Sequence, residues 1–460
     1  MTETSQPGLP AETEVIDVES LVPEVSAALA EGNADDIKRL VGDLSTPDLA
    51  DVVELLAPAE RVQLIQVFGA DFDYEVFSEL DETVRDQLSE DLPNEFLAKA
   101  VTELDTDDAA YIIEGLEESD KEDVLSQLAT SDRAAVERNL DYPEETAGRL
   151  MQAHFVAVAP FWTVGHVIDY MREAEDLPDH FSEIFVVDPS MRVLGSVDLS
   201  RLLRTKREVG VDTIMESERH VVLATEDQEE VAHQFKRYDL MSAPVVDENQ
   251  RLVGVVTVDD VVEIIHDEAE EDMKKLAGVG DESLADSVFE TVKSRVPWLV
   301  VNLGTAILAS FVIQQFDATI AQMVALAVLM PIVASMGGNA GTQTMTVTVR
   351  ALATSKLGSV NAPRVIGREA LVGLLNGFVL STIMATVVYL WFGSGMLGGV
   401  IAAAIIVNLF AAALAGILIP LIFDRLDLDP APASGVFVTM VTDCVGFFAF
   451  LGLASLWLFG

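Results

Sequence analysis

The sequence has a single cysteine, Cys444, in 460 residues. One cysteine excludes an internal disulfide and a cysteine-based zinc site, so Cys444 is interpreted as a small apolar residue. Basic residues are scarce as well: 28 Lys and Arg oppose 76 Asp and Glu, which gives a formal net charge of -48. Because binding to nucleic acid requires basic patches, nucleic acid is not expected as a partner.

The acidic charge belongs almost wholly to the first part of the chain. Residues 295–460 hold six basic and six acidic residues, so the net charge is carried by residues 1–294. Residues 1–25 are acidic and lack the basic start and apolar core of a signal peptide. We interpret them as a flexible tail and the half that follows as cytoplasmic. A large net charge suits a halophilic, salt-rich cytoplasm. The alternative is that some of these carboxylates bind cations.

Residues 26–141 carry apolar positions at helical spacing and few β-branched clusters, which predicts a helical domain. Two of its segments align over thirteen positions: LSTPDLADVVELL from Leu44 and LDTDDAAYIIEGL from Leu104. Each predicts a capped helix with Val-Val or Ile-Ile on its inner face. The repeat indicates stacked helical hairpins in a superhelical arrangement.

A second repeat covers residues 142–206 and 207–267. FSEIFVVDPSMRVLGSVDLSRLL from Phe181 is matched by LMSAPVVDENQRLVGVVTVDDVV from Leu240. Each predicts a strand, an Asp-containing turn, a strand with Gly-x-Val near its end, and a helix. This duplicated unit resembles a tandem pair of CBS domains, α/β modules that act as regulatory sensors and are not catalytic. All six His residues of the chain lie in this region without metal-ligand spacing, and we assign them to turns and surface.

Residues 268–295 are predicted to form a connecting helix. Within residues 263–272, seven positions are ionisable and six of those are acids. Glu268, Glu271 and Asp272 share one helical face, where like charges repel. A solvated acidic face and a clamp for a divalent cation both explain this pattern.

Residues 296–460 are predicted to form a five-helix transmembrane domain. Its five apolar stretches each reach the roughly 20 residues needed to cross a bilayer; they cover about 296–315, 320–349, 370–392, 400–423 and 435–459. Four basic residues lie between the second and third spans, and Arg425 follows the fourth. By the positive-inside rule, the N-terminal half is cytoplasmic and the C-terminus lies outside.

Asp443 is the one ionisable residue deep within a predicted span. A carboxylate at that depth costs about 2.5–3.5 kcal/mol on insertion scales, so it should face a cavity and meet a partner. The predicted spans contain no Lys, Arg or His to pair with it. The expected partner is a cation from solution, or the same Asp of a second subunit sharing one divalent ion.

The octet MGGNAGTQ, residues 336–343, interrupts an otherwise apolar stretch. Gly337 and Gly341 form a small-xxx-small pair that lets another helix approach closely, and Gly338 completes the glycine set. Asn339 and Gln343 are one turn apart and should share a face. They either join helices by hydrogen bonds or line the polar wall of a cation path.

PIVASMGGNAGTQTMTVTVRALAT and TDCVGFFAFLGLA, preceded by a CBS pair and an acidic helical domain, resemble the MgtE family of magnesium channels. The resemblance implies a homodimer of five-span subunits with a Mg²⁺ pore between them, in which Asp443 holds hydrated Mg²⁺ at the dimer axis. It implies a plug helix around Glu282 to Arg295 and, as a further expectation, adenine nucleotide in the CBS cleft. It also implies cytosolic regulatory Mg²⁺ sites at Asp108, Gly148, Glu229, Asp239, Asp260, Glu263, Glu268, Glu271 and Asp272.

These patterns predict a multi-domain membrane protein: a helical N-terminal domain, a tandem CBS pair, a connecting plug helix and five membrane spans. The predicted function is Mg²⁺ uptake through a channel or transporter that cytosolic Mg²⁺ closes through the N-terminal and CBS domains. An enzyme is not expected, since no nucleophile with its base, metal triad or phosphate loop is present. A Na⁺- or H⁺-coupled divalent cation carrier and a CBS-gated channel for another ion are the alternatives.

Overall fold

The computed structural model describes residues 18–174, 177–178, 180–217, 220–280, 282–283, 285–354, 357–358, 361–426 and 428–458. Of the predicted flexible tail, residues 1–17 lie outside the described residues. Residues 18–25 form the start of a helix that buries Val25, so the prediction of a tail was wrong for this part. The chain divides into two compact units, with the division between Ile265 and His266. Each unit is described by itself.

The first unit opens with α-helices only. In the described chain these are α1 (Val18–Glu31), α2 (Ala34–Val41), α3 (Thr46–Leu55), α4 (Pro58–Phe68), α5 (Glu82–Asp91), α6 (Asn94–Glu103), α7 (Thr106–Glu114), α8 (Glu118–Gln127) and α9 (Thr130–Leu140), with 3-10 turns at Gly69–Asp71 and Tyr74–Phe77. The side chain of Ser45 caps α3 by accepting a hydrogen bond from the backbone of its first turn. The repeat helices α3 and α7 bury Val52, Val53, Ile112 and Ile113 to 1% exposure or less. Their predicted inner faces are confirmed.

Two similar α/β modules follow, each built on a three-stranded sheet. The first contains β1 (Ala157–Val158), α10 (Val164–Glu173), β2 (Glu183–Val187), β3 (Val193–Asp198) and α11 (Leu199–Arg204); the second contains β4 (Val222–Leu223), α12 (Gln228–Tyr238), β5 (Ser242–Val246) and β6 (Leu252–Thr257), with a 3-10 turn at Val211–Thr213 between the modules. In both, the first two strands pair in parallel and the last two form an antiparallel hairpin. Strands packed on both faces explain the apolar runs of the sequence.

The two hairpin turns share one chemical design. Asp188 and Asp247 each use a carboxylate oxygen to accept hydrogen bonds from the backbone N–H groups two and four residues later. Met191 and Gln250, at corresponding positions, have φ angles of 62° and 63°. The repeated Asp therefore satisfies the backbone of a turn that contains a left-handed residue.

The connector consists of two helices and a break, so the prediction of one helix over residues 268–295 was wrong. α13 (Val258–Ala277) runs from the second module through the acidic stretch. It ends at Gly278, whose φ of +74° is the left-handed conformation that terminates helices. Ser287 then caps α14 (Val288–Gln314), which continues without interruption into the first apolar span. The segment expected to form a separate plug is therefore partly the start of a membrane helix.

The second unit is helical throughout its described residues. After α14 come the short α15 (Asp317–Gln322) and four long helices: α16 (Ala325–Ala353), α17 (Ala362–Phe392), α18 (Gly395–Arg425) and α19 (Pro430–Leu458). Five helices of the described chain are long and apolar enough to cross a membrane. α18 is central, because it packs against α16, α17 and α19. In its most apolar 18-residue segment, 56% of the residues are buried.

Candidate cation site and acidic clusters

Asp443 lies in the middle of α19 and is half-buried. Eight residues separate it from Gly435, which corresponds to about 12 Å along a helix. Among the described residues, no hydrogen bond or ion pair joins Asp443 to another side chain. A carboxylate at this depth is costly unless it is paired, so the unpaired state of Asp443 among the described residues marks it as a candidate cation ligand.

The face of α19 next to Asp443 is closely packed. Thr442 is fully buried, and a Cβ built at Gly341 of α16 would lie 2.5 Å from Val438 Cγ1 and 3.5 Å from Thr442 Cγ2. One turn later, Gly446 faces the side chain of Asn408 of α18. Asp443 therefore borders the seam between α19 and its two neighbours.

Two of the three glycines of the octet act as the sequence predicts, whereas a Cβ built at Gly338 would meet no atom within 4 Å. Gly337 and Gly341 are buried within α16, and a Cβ built at Gly416 of α18 would lie only 2.7 Å from the Gly341 carbonyl oxygen. The helix backbones approach closely at this point, so the prediction of close approach is confirmed. Asn339 and Gln343 are exposed.

Gln343 contributes to a cavity of about 220 Å³ beside α16, α17 and α18. Its polar lining residues are Gln343, Thr344, Arg368, Glu369 and Asn376. Neither Asn339 nor Asp443 lines it. The structure thus groups the Gln343 amide with Asn376 and places it outside the surroundings of Asp443.

An acidic cluster lies partly buried in the first unit, where α7 approaches the start of α13. Burial raises the pKa of Asp108 to about 7, and the charges of Asp260 and Glu263 contribute to this rise. Burial likewise raises the pKa of Asp260 to about 6. Asp107 is 5% exposed, its pKa is raised by burial and by Asp260, and its Oδ1 has no hydrogen-bond partner. These carboxylates are close enough to repel one another, which is the electrostatic setting that a divalent cation relieves.

Hydrogen bonds hold this cluster between the helical region and the second α/β module. The Asp260 carboxylate accepts from Thr257 Oγ1 at 2.6 Å and from Gln152 Nε2 at 3.3 Å. Thr106 Oγ1 accepts from the backbone N–H of Ala153. An ion pair between the buried Arg149 and the partly exposed Glu114 connects the same two regions. Sequence reasoning assigned Asp108, Asp260 and Glu263 but missed Asp107, whose only signal was its place beside Asp108.

The other predicted ligands of the first unit are not brought together. Glu229 is in the first turn of α12, while Asp239 ends this helix in a left-handed conformation. Ten residues separate the two, about 15 Å along a helix, so they do not form one site. Gly148 donates its N–H to the Ala224 carbonyl, and a Cβ there would overlap the Tyr142 ring, so close packing accounts for this glycine.

The acidic part of the connector forms an ion pair with a basic side chain of the same chain, Lys275. Glu271 forms an ion pair with Lys275 one turn later, and Lys275 Nζ lies 3.3 Å from Asp429 Oδ2. Burial raises the pKa of Asp272, and Asp429 and Glu271 raise it further. Sequence reasoning named Glu268, Glu271 and Asp272 but missed Lys275 and Asp429. Asp429 is 154 residues beyond Lys275, so no local pattern could show this pairing.

Across the described residues, no group of three or more His, Cys, Asp or Glu side chains already has an arrangement that could hold a metal ion. Binding of a metal ion by the acidic clusters would therefore require their carboxylate groups to move closer together.

Three family models match the chain. The MgtE intracellular N domain matches residues 24–145, the CBS domain matches residues 147–208 and 211–267, and a model described as MgtE, divalent cation transporter, matches residues 330–453. The magnesium transporter MgtE of Thermus thermophilus is 33% identical over 444 residues, which cover 95% of this chain and 98% of that protein. The chain belongs to the MgtE family of divalent cation transporters.

Another MgtE relative, the magnesium transporter of Bacillus subtilis, is 29% identical, and the match covers 95% of this chain and 97% of that protein. Among solved structures, the cytosolic domain of the Mg²⁺ channel MgtE in complex with ATP covers 53% of this chain and 99% of that chain, at 31% identity and a TM-score of 0.49. The predicted MgtE family and the predicted fold class are confirmed, and this chain is a multi-domain membrane protein.

Proposed function

We propose that this protein carries Mg²⁺ across the cytoplasmic membrane through a pore at the axis of a homodimer. One observation carries the proposal: Asp443 is a midspan carboxylate to which the described part of its own subunit offers no partner. Two subunits related by a twofold axis would bring two such carboxylates together, and isologous dimers are the commonest oligomers. Membership in a family of divalent cation transporters supports a cation as the missing partner.

The chemistry of Mg²⁺ suits this arrangement. Mg²⁺ loses its water reluctantly and binds with one or two carboxylates while it keeps several waters. Two Asp443 side chains supply the charge, and the Asn339 amide, exposed on the isolated subunit, offers a neutral polar group for retained water. Conduction also requires binding weak enough for release, which a hydrated ion permits.

We propose that the acidic clusters sense Mg²⁺ on the cytoplasmic side. At low Mg²⁺, repulsion between Asp107, Asp108 and Asp260 favours separation of α7 from α13. At high Mg²⁺, a bound cation neutralises these acids and favours a compact, closed state. Such a switch requires that Mg²⁺ bind the closed state more tightly than the open one. Glu263 adds charge to this cluster, and Glu268, Glu271 and Asp272 extend the acidic surface along α13.

The orientation belongs to the same proposal: the N-terminal and CBS modules face the cytoplasm and the C-terminus lies outside. Basic residues at the end of α16, at the start of α17 and at the end of α18 support it under the positive-inside rule; they are Arg350, Arg364, Arg368 and Arg425. Adenine nucleotide binding by the CBS pair also stays a prediction. Neither of the two cavities that stand out in the described chain is lined by residues of the CBS pair. We therefore assign no residues to nucleotide binding.

Uptake by reconstituted protein tests the pore. The full-length chain in liposomes should admit Mg²⁺, reported by an enclosed fluorescent indicator, and Asp443→Asn should lower the flux to that of empty liposomes. Asp424→Asn, which removes an exposed carboxylate at the end of α18, is the matched control and should retain flux. Cross-linking of each variant should give the same dimer. Undiminished flux through Asp443→Asn would reject the pore assignment.

A coupled carrier is the alternative that this assay can separate from a channel. Flux that persists without a Na⁺ or H⁺ gradient and saturates only weakly with Mg²⁺ supports a channel. Flux that disappears when the gradient is collapsed supports a carrier.

A further inference from the structure

Asn408 is a polar side chain buried in the membrane unit between two other helices. It lies on α18 with 0% exposure. Its Nδ2 donates a 2.8 Å hydrogen bond to the backbone carbonyl of Val333 on α16, across 75 residues of sequence. Its Oδ1 has no hydrogen-bond partner. A buried acceptor without a donor is costly in an apolar environment, so packing stability alone does not account for an amide here.

Two glycines make room for this side chain. A Cβ built at Gly337 of α16 would overlap Asn408 Nδ2. A Cβ built at Gly446 of α19 would lie 2.7 Å from the same atom and 3.0 Å from Asn408 Cγ. One amide therefore fills the space between α16 and α19 at a point where neither helix has a side chain of its own.

This point lies at the depth of the candidate cation site. Gly446 is three residues after Asp443, and Gly337 begins the Gly-Gly-Asn motif that continues to Asn339. Three residues along a helix correspond to about 4.5 Å and nearly one turn. A shift of α16 relative to α19 at Asn408 would therefore change the distance between Asp443 and the polar face of α16.

We propose that Asn408 is a positioning residue for the transport site: its amide fixes the separation of α16 and α19, and thereby the width of the cation path beside Asp443. The hydrogen bond to Val333 sets the axial position of α16 relative to α18. The contact with Gly446 sets the distance of α19 from α18. Asn408 itself is sealed from the path and does not touch the ion. This inference rests on the proposed Mg²⁺ pore.

The inference predicts a change in ion selectivity, which a purely structural role does not. Asn408→Leu keeps the branching and the number of heavy atoms of the side chain but replaces both polar atoms with methyl groups. The hydrogen bond to Val333 is lost, so α16 is no longer held at one axial position. In liposomes that contain equal amounts of dimeric protein, we expect the ratio of Mg²⁺ to Ca²⁺ flux to fall about tenfold, which corresponds to ~1.4 kcal/mol. A lower total flux at an unchanged ratio would assign Asn408 a structural role only and overturn the inference.

A double-variant experiment tests the steric part. Gly446→Ala should lower Mg²⁺ flux, because the added methyl group collides with Asn408. Asn408→Ala in the Gly446→Ala background should recover part of that flux, because it removes the colliding atoms. Gly399→Ala, on the same helix as Asn408 and with no atom within 4 Å of the added Cβ, should behave as wild type. Absence of any recovery would overturn the steric part of the inference.

Wild type and Asp443→Asn are measured in parallel, each in liposomes of the same composition, so that failure of the pore proposal can be told apart from failure of the positioning inference. If wild type carries no Mg²⁺, the proposed function fails. If wild type carries Mg²⁺ and the Asn408→Leu ratio equals that of wild type, the positioning inference fails while the pore stands.

Discussion

The ammonium group of Lys275 lies 3.3 Å from the carboxylate of Asp429. Lys275 is in the last turn of α13 and Asp429 immediately precedes α19, so one ion pair connects the acidic helix to the helix that carries Asp443. Burial alone would lower the pKa of Lys275, but the hydrogen bond and charge of Glu271 and the charge of Asp429 raise it above its usual value. Lys275 therefore stays positively charged between Glu271 and Asp429, whose carboxylates would otherwise repel each other.

Replacement of Lys275 by Met should make the connector more dependent on Mg²⁺. Without the ammonium group, Glu271 and Asp429 repel each other when Mg²⁺ is absent, so the connector should be cleaved faster by a protease in chelator. Added Mg²⁺ should restore protection, because it replaces the lost charge. The measurement is limited proteolysis of the full chain across a Mg²⁺ titration.

Lys293→Met is the control for this variant, since Lys293 is exposed on the first turns of α14. It should be cleaved at the wild-type rate at every Mg²⁺ concentration. Equal protection of Lys275→Met and wild type in chelator would show that the ion pair does not restrain the connector. All titrations need one fixed, high ionic strength, because salt screens interactions between exposed acids.

The acidic cluster of the first unit should make the Mg²⁺-free protein less stable as pH rises. The folded-state pKa values of Asp108, about 7, and Asp260, about 6, exceed the ordinary value of 3.8. Between these values the folded protein binds more protons than the unfolded chain. The stabilisation is complete below about pH 4 and is lost as pH rises through about 6 and 7, at up to about 1.4 kcal/mol per pH unit for each proton.

Thermal unfolding of the full chain in detergent with chelator, at about pH 5 to 8, measures this loss. Mg²⁺ should flatten the pH profile, because the cation replaces the protons. Asp108→Asn should reduce the slope, whereas Asp35→Asn, at an exposed site on α2, should leave it unchanged. A Mg²⁺-free profile that stays level over this range would contradict the assignment of these acids.

The ion pair between Arg149 and Glu114 should be worth more than those on the surface. Arg149 is 5% exposed and Glu114 is 34% exposed, so Arg149→Met leaves a partly buried carboxylate without its cation. After allowance for the exposure of Glu114, we expect a loss of about 2 kcal/mol in the free energy of unfolding. Arg133→Met, which breaks a pair that is 47% and 46% exposed, should cost about 0.5 kcal/mol or less. Denaturant unfolding followed by circular dichroism compares the two, and equal losses would be the contrary result.

The contact between α16 and α18 should tolerate no added methyl group. A Cβ at Gly416 would lie 2.7 Å from the Gly341 carbonyl oxygen and 2.9 Å from Thr344 Cβ, and backbone cannot move aside as a flexible side chain does. Gly416→Ala should therefore destabilise the membrane unit by about 1–3 kcal/mol, as overpacking usually does. Gly367→Ala, which meets no atom within 4 Å, serves as the control in a thermal-shift assay in detergent. A melting temperature for Gly416→Ala equal to that of the control would disprove the close contact.

Periodic and repeated features of the sequence predicted most of the architecture. The paired repeats of the helical and α/β regions, the five apolar helices and the glycine contact in α16 all follow from local spacing. The connector was predicted less well, because Gly278 and the cap at Ser287 divide a stretch whose composition is mostly polar. A single glycine changed one predicted helix into two.

The contacts of the candidate sites were predicted only in part, because they join distant residues. Asp443 was evident as an isolated charge within an apolar span. Asn408, by contrast, is one amide among several, and only its position between two glycines of other helices distinguishes it. Lys275 lies among acids in the sequence, but its pairing with Asp429 depends on the fold.

The exposure of α14 has a consequence for how the protein is made. Only 6% of the residues in its most apolar 18-residue segment are buried, whereas more than half of the residues in the corresponding segment of α18 are buried. A span that requires no neighbour can enter the bilayer as soon as it leaves the ribosome. α18 is synthesised later, when α16 and α17 are already available to cover it. The order of the spans along the chain is thus also a workable order of insertion, with the least covered helix first.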